Sequence, residues 1–215
     1  WIGIDNTHLA ISLIERRRKD AFKTGLEFEI HGTPKDLDAA RVRASLDKYQ
    51  FQWWAVSLVY AQPFQGKKKG ADTGIDGLKF FRDLPATGRA ELPLGQAAQQ
   101  RRPTADDVHK IVVSVKGGGL KADDVRALNH VREREGADIA LFISLDDCTK
   151  GMIKDAASAG FYESPNQKKY PRVQLLTIEG LLSKKQRAEH PDYEPDLNFK
   201  KAKTEANAAQ KELGV

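Results

Sequence analysis

The chain has 215 residues, of which 40% are hydrophobic, enough for one principal core with attachments. Its 35 basic and 30 acidic residues leave a net charge of +5, which favours a polyanionic partner although the two signs nearly cancel. A single cysteine excludes an internal disulfide framework, and no apolar run is long enough to span a membrane. We therefore expect a soluble, cytoplasmic protein without a membrane partner, and the start at Trp1 indicates a fragment of a longer protein.

The first 45 residues are predicted to form a small strand and helix segment. Residues 1–5 are strand-like, and Asn6 or Thr7 can cap a helix that continues to about Lys19. Residues 26–30 alternate apolar and acidic side chains, as a half-buried strand does, and a helix is predicted over residues 37–43. We interpret residues 1–45 as an N-terminal segment.

The middle of the chain contains one strongly apolar segment and one proline-rich segment. Residues 49–61, YQFQWWAVSLVYA, are apolar on nearly every face and predict a helix that is buried between layers and stopped by Pro63. A basic, glycine-flanked loop at 66–74 precedes a strand predicted over 75–82. Residues 83–107 show little apolar periodicity, so we expect an exposed insertion between two strands.

The second half alternates strands and helices. Residues 109–116, HKIVVSVK, are the clearest strand, and a helix from about Lys121 to Glu135 follows three glycines. The continuously apolar run 137–144 is typical of a central strand. Further elements are predicted in this order: a helix capped by Thr149, a strand over 173–178 and a helix over 179–187. This order predicts an α/β fold with a central mixed sheet flanked by helices.

An acidic residue and a lysine lie on two predicted strands that follow one another in the chain. Asp76 lies between Gly74 and Gly77, which leave room for close approach of a phosphate backbone. Ser114 and Lys116 are two residues apart on one strand, so both project from the same face. We expect that face to be polar and the opposite face to be core. An acid beside a lysine suits metal-assisted phosphodiester hydrolysis.

These motifs also carry a family resemblance. GADTGIDG followed by VVSVKGG resembles the GxDGGIDG and QxK elements of Mrr-like restriction endonucleases, a branch of the PD-(D/E)xK superfamily. The YQFQWW start is similar to the first core helix of that family, and EGADIALFISL and TKGMIKDAASAGF resemble its closing pattern. The resemblance covers roughly residues 46–182 and implies a restriction-endonuclease-like core of α-β-β-α-β order with an extra strand and helix. We interpret 46–189 as a nuclease domain and 190–215 as a polar C-terminal tail.

The resemblance implies a magnesium-dependent DNA endonuclease of a restriction-modification system, with Mn²⁺ as an alternative metal. Asp76 and the carbonyl of Val115 would bind the metal, and Lys116 would position or activate the attacking water. Ser114 and Gln52 would support them, although the family usually has glutamate or glutamine at the first position and an acid at the second. Neither residue has a negative charge, so metal affinity would depend on Asp76, the Val115 carbonyl, water and the substrate phosphate.

Basic residues close to these motifs are candidates for contacts with DNA. Lys67, Lys68 and Lys69 lead into the Asp76 loop, and Lys121 follows the strand that ends at Lys116. Binding of phosphates by such residues would be largely independent of sequence and sensitive to salt. A homodimer is a further possibility, since cutting both strands with a single-site nuclease usually requires two copies.

The first residues suggest a second family. WIGIDNTHLAISLIERR resembles a segment of DNA amino-methyltransferases in which an acid binds the ribose of S-adenosylmethionine, and Asp5 would be that acid. The glycine-rich element and the catalytic aromatic motif of those enzymes are absent from the chain, so we expect the methyltransferase domain upstream in a longer fusion protein. Two alternatives to the nuclease stay open. One is a DNA-binding module that keeps the nuclease fold without cleaving, and the other is an accessory part of a methyltransferase.

Overall fold

The computed structural model describes residues 3–5, 8–22, 28–64, 74–83 and 108–191. Its helices are α1 (His8–Phe22), α2 (Leu37–Leu46), α3 (Lys48–Leu58), α4 (Ala122–Arg134), α5 (Lys150–Ser158) and α6 (Ile178–Leu182). Its strands are β1 (Gln62–Pro63), β2 (Gly77–Arg82), β3 (Val108–Lys116), β4 (Ile139–Ser144), β5 (Phe161–Glu163), β6 (Lys169–Pro171) and β7 (Val173–Thr177). None of the helices in these ranges is both long enough and apolar enough to cross a bilayer.

A five-stranded mixed sheet organises the fold, with the strand order β1-β2-β3-β4-β7. The pairs β1–β2 and β2–β3 are antiparallel, whereas β3–β4 and β4–β7 are parallel. Helices α4 and α5 lie in the connections between the parallel strands, as crossovers of this kind require. The predicted α/β architecture with a central mixed sheet flanked by helices is confirmed.

Both faces of the sheet are covered by helices and buried. One face, here called the first face, packs on α2, α3 and α6 through residues such as Val113, Leu141 and Phe51. The second face packs on α4 and α5 and includes Val112 and Phe142. The second face is the one that carries Ser114, so the expectation that this face is polar is wrong. Two helices cover it, and β3 therefore contains consecutive buried apolar residues, Ile111, Val112 and Val113, that face alternate sides of the sheet.

Helix α3 is buried on one side only. The side chain of Asp47 caps it by accepting hydrogen bonds from the amides of Tyr49 and Gln50. Trp54 is buried, whereas Tyr49, on the outer side of the helix, is 70% exposed. The prediction of burial between layers is therefore wrong for the outer side. The helix ends at Leu58, before Pro63, which belongs to β1.

The N-terminal elements agree with the sequence in part. Helix α1 is confirmed and ends at Phe22, three residues beyond the predicted end. Residues 3–5 and 28–30 are not in strands, in contrast to the prediction. An extended segment becomes a strand only when its backbone groups pair with a neighbour, and within the described ranges neither segment does so. Ala40 of α2 is fully buried in the core of the first face.

The hairpin β5–β6 was not predicted, and a buried polar cluster joins it to the sheet. Both oxygens of the Asp83 carboxylate accept hydrogen bonds at 2.8 Å, one from the Tyr162 hydroxyl and one from the Ser164 hydroxyl. His109 lies between Tyr162 and Asp138, with its Nδ1 3.0 Å from the Asp138 carboxylate. Burial raises the pKa of Tyr162, and its hydrogen bond to Asp83 raises this pKa further. The cluster fixes the hairpin against the end of β2.

The last helix is shorter than predicted. The sequence favours a helix over residues 179–187, but α6 ends at Leu182. Lys184 adopts a left-handed φ of 58°, which stops the helix, and the Gln186 side chain accepts a hydrogen bond from the Thr177 amide. Gln186 is therefore used to fix the start of the helix rather than to extend its end.

Candidate functional site

Asp76 is fixed at the point where β2 begins, beside the end of β3. Its amide donates to the Val113 carbonyl over 2.8 Å, and its carbonyl accepts from the Phe64 amide over 2.9 Å. Its carboxylate Oδ2 accepts a hydrogen bond from the Val115 amide at 2.7 Å. Backbone and side chain together hold the Asp76 carboxylate beside the strand segment 113–115.

Gly77 has a packing role that the sequence did not reveal. It is buried, and a Cβ atom at this position would lie 2.7 Å from Cγ1 of Val56 and 3.2 Å from the Gln62 carbonyl. The space beside Gly77 is filled by α3 and β1, so the prediction that this glycine leaves room for a phosphate backbone is wrong. The absence of a side chain lets β2 pack closely on α3.

Ser114 and Lys116 occupy the end of β3 with the alternation expected of a strand. Ser114 is opposite Phe142 in the register with β4 and is 7% exposed. Lys116 is opposite Ser144 at the last pair of the two parallel strands, and its side chain is 39% exposed. Strand β3 thus carries the buried hydroxyl of Ser114 and, at the next position on the same face, the solvent-accessible ammonium of Lys116. The sheet end that contains Asp76, Lys116 and Ser144 is called the Lys116 end below.

An aspartate that the sequence analysis did not single out contacts Lys116. Oδ1 of Asp124, in the first turn of α4, lies 3.1 Å from the Lys116 Nζ. Its Oδ2 accepts a hydrogen bond from the Lys121 amide at 2.8 Å. The pair joins the end of β3 to the start of α4 across the three glycines. An acid at the third position of a helix signals a capping interaction in sequence, but its contact with Lys116 depends on how α4 packs.

A second charged pair lies nearby on the same sheet end. The Leu145 amide donates to the Lys116 carbonyl over 3.1 Å, and Asp146 follows directly. Asp146 accepts from the guanidinium of Arg41, on α2, at 2.8 Å. Arg41 is about half exposed, and it adds a cation close to the candidate site that was not among the predicted site residues. No motif marks it, because α2 is distant in sequence and reaches this end only in the folded chain.

Gln52 and Val115 belong to the first face. Gln52 is half-buried on α3, which covers that face, whereas Ser114 and Lys116 project from the second face. The fold thus separates Gln52 from these two residues by placing them in different layers. Val115 is 3% exposed and its amide is bonded to Asp76. The structure therefore brings Asp76, Val115, Ser114 and Lys116 together and leaves Gln52 on a neighbouring helix.

The predicted DNA contacts are described only in part. Lys121 is exposed and immediately precedes α4, close to the pair formed by Lys116 and Asp124. Lys67, Lys68 and Lys69 lie outside the described residues, as do residues 84–107 and the tail beyond Pro191. Of the predicted DNA contacts, Lys121 is the one within the described residues, and it lies at the Lys116 end.

Asp5 lies at a different place in the molecule. It is exposed and lines a cavity of about 660 Å³ between the first residues, α1 and the segment 28–31. The lining combines apolar side chains such as Ile11 and Phe28 with the charged Asp5 and Arg18. A cavity of this volume has the size of a small-molecule site.

The residues at the Lys116 end suit a hard cation held by few protein ligands. Within the ranges that the structure describes, no group of three or more histidine, cysteine, aspartate or glutamate side chains is placed to hold a metal ion. Mg²⁺ commonly binds through one or two carboxylates and keeps several waters, with substrate phosphates completing its shell. Asp76 offers a carboxylate for that mode, with backbone and hydroxyl oxygens nearby.

Comparisons with models of known families, with curated proteins and with solved structures found no significant match to this chain.

Proposed function

We propose that residues 46–189 form a magnesium-dependent DNA endonuclease of a restriction-modification system, with a restriction-endonuclease-like core. The observation that supports this proposal best is the 2.7 Å hydrogen bond from the Val115 amide to the Asp76 carboxylate. It places the acid of the GIDG motif beside the strand that ends in Lys116. An acid and a lysine that are far apart in sequence thereby come to one end of the sheet, an arrangement that suits metal-assisted phosphodiester hydrolysis.

The proposed metal ligands are the Asp76 carboxylate and the Val115 carbonyl, with water and a DNA phosphate completing the shell. Bound Mg²⁺ would activate water and stabilise the negative charge that develops on the phosphate. Ser114 stands between Val113 and Val115, two residues of β3 that form hydrogen bonds with Asp76. Its hydroxyl is a candidate to orient a water of the metal shell, and Gln52 has a supporting role from the adjacent layer. Mn²⁺ is expected to replace Mg²⁺.

Lys116 would place its ammonium next to the scissile phosphate. A cation there stabilises the charged transition state and orients the attacking water. The exposure of this side chain gives it access to a substrate, while its neighbours Val115 and Ser114 are buried. The strand therefore supplies a rigid support for one accessible charge.

DNA would lie across the Lys116 end, where exposed cations can meet phosphates. Lys121 is proposed as one such contact, and the basic run Lys67–Lys69 as another. Contacts of this kind position the backbone without reading sequence. Cleavage of both strands would then require a homodimer or two successive events.

A DNA-binding module without cleavage is the second candidate. The observation that favours it is the structural use of Asp76, whose carboxylate accepts the hydrogen bond of the buried Val115 amide. DNA binding that is retained without cleavage, and that is unaffected by Lys116→Ala, would support this candidate.

A contribution to a methyltransferase is a third candidate, favoured by the cavity beside Asp5. S-adenosylmethionine would bind there only in a longer protein that also contains a methyltransferase domain. Binding of S-adenosylmethionine by that protein, lost on Asp5→Ala and unaccompanied by nuclease activity, would favour it over the nuclease.

The proposed nuclease is tested by plasmid nicking with Mg²⁺, using modified and unmodified DNA. Wild type should cut, and Asp76→Asn should cut at least about 100-fold more slowly. Equal inactivity of the two proteins on all substrates would overturn the proposal.

A further inference from the structure

The ammonium of Lys116 is held by an acid from a different element. Asp124 Oδ1 lies 3.1 Å from the Lys116 Nζ, although the two residues belong to α4 and β3. The Asp124 side chain is 16% exposed and the Lys116 side chain is 39% exposed. The carboxylate is thus the more shielded partner, and the ammonium is the one that faces solvent.

Asp124 is itself fixed by the start of its helix. Its second oxygen accepts the Lys121 amide at 2.8 Å, while the Asp124 amide donates back to the Lys121 carbonyl over 3.0 Å. This local ring holds the carboxylate at the first turn of α4. A restrained carboxylate restrains the ammonium that it contacts.

The pair has little to contribute to folding. Ion pairs between partly exposed side chains add little to stability, because solvent screens them and both side chains lose freedom. The same restraint matters for a reacting group, since a lysine side chain has four rotatable bonds and samples many positions when it is unpaired. A group held near its reactive position can act without a further entropic cost.

We propose that Asp124 is a positioning residue that sets where the Lys116 ammonium lies during phosphodiester cleavage. This inference rests on the proposed nuclease function and adds to it a residue outside the motifs that suggested that function. Asp124 is not expected to touch the substrate. Its negative charge keeps the ammonium at the end of β3 until DNA arrives.

Three variants separate positioning from helix capping. Asp124→Asn keeps an oxygen that can accept from the Lys121 amide but removes the charge. Asp124→Glu retains both the charge and the type of residue that caps helices at this position. Asp123→Asn is the matched control, because it removes the same charge from the neighbouring exposed residue, which pairs with Arg126 and not with Lys116.

The experiment measures kcat and KM for plasmid cleavage with Mg²⁺, together with thermal unfolding and DNA affinity. We expect Asp124→Asn to lower kcat by about 100-fold. KM, DNA affinity and unfolding temperature should match those of Asp123→Asn. Asp124→Glu, which restores the charge, should recover most of the lost rate. A role in capping alone would instead predict no loss in Asp124→Asn, because the amide oxygen can still accept from the Lys121 amide.

Two results would overturn the inference and are distinguishable. If wild type cuts and Asp124→Asn cuts equally fast or faster, Asp124 does not position Lys116 for cleavage, and the nuclease proposal stands. If wild type cuts no substrate, the proposed function fails and the positioning role fails with it.

Discussion

The Val115 amide donates a 2.7 Å hydrogen bond to the Asp76 carboxylate, across 39 residues of sequence. Val115 is buried, so its amide needs a partner where β2 has not yet begun to pair with β3. Asp76 therefore has a structural use in addition to the proposed catalytic one. Variants of Asp76 must therefore distinguish the effect of losing the acceptor oxygen from the effect of losing the negative charge.

The first prediction concerns stability at Asp76. Asp76→Ala removes the acceptor of the Val115 amide and should lower the free energy of unfolding by about 1–3 kcal/mol. Asp76→Asn retains an acceptor oxygen and should lose much less. Urea unfolding of the two variants checks this. Equal losses in both would show that the charge, rather than the hydrogen bond, stabilises the fold.

The second prediction concerns the packing of Gly77 on Val56. Gly77→Ala forces a Cβ to within 2.7 Å of the Val56 side chain and should cost about 1–3 kcal/mol. Val56→Ala opens space, so the double variant should be more stable than the sum of the two single losses predicts. Gly151→Ala, at a helical position without a close neighbour, should not destabilise the protein. Additive losses at 56 and 77 would rule out the close contact.

The third prediction concerns the buried cluster at the other end of the sheet. Tyr162→Phe removes the donor to the buried carboxylate of Asp83 and should cost about 1–3 kcal/mol in unfolding free energy. Tyr49→Phe, at a tyrosine that is 70% exposed, is the matched control and should change little. Similar losses in the two variants would argue against a stabilising role of the Tyr162 hydroxyl.

The fourth prediction is the pH dependence that this tyrosine causes. Burial raises the pKa of Tyr162 above its ordinary value of 10.0, so the folded state retains the proton longer than the unfolded state. The stabilising effect is full below that value and is lost as the pH rises beyond it. The stability difference between wild type and Tyr162→Phe should therefore shrink above about pH 10. Urea unfolding at a neutral and an alkaline pH measures it, and a constant difference would contradict the shift.

Apolar patterns predicted the central elements well and the short ones poorly. Strands β3 and β4 contain runs of apolar residues, and such runs can be recognised from the sequence without knowledge of their neighbours in the fold. The three-residue strands β5 and β6 have no such signal, because the hairpin pairing and a hydrogen bond between residues distant in sequence, Asp83 and Tyr162, fix them. Residues 28–30 alternate like a strand but lack a partner in the described chain, and periodicity contains no information on pairing.

The part of the candidate site that lies on β3 could be predicted, because there the sequence motif falls on a strand. Alternation along β3 correctly placed Ser114 and Lys116 on one face, but it could not reveal that α4 and α5 cover that face. The contact between Lys116 and Asp124 depends on the packing of α4 at the end of β3. The position of Gln52 in another layer likewise depends on which face α3 covers.

The fifth prediction concerns DNA contact at Lys121. Lys121→Gln should weaken DNA binding at low salt and reduce the slope of log affinity against log salt by about 0.9, the value of one phosphate contact. Lys154→Gln removes an exposed charge from α5 and is the control. An unchanged slope in Lys121→Gln would remove this residue from the proposed DNA surface.

Cleavage of supercoiled plasmid with and without Mg²⁺ is the most direct measurement of the proposed activity. Wild type and Asp123→Asn should nick the plasmid only when Mg²⁺ is present. Asp76→Asn should be slower by about 100-fold or more, because transition-state stabilisation by the metal is lost while the fold is retained. Metal-independent nicking, or equal rates for wild type and Asp76→Asn, would contradict a magnesium-dependent nuclease centred on Asp76.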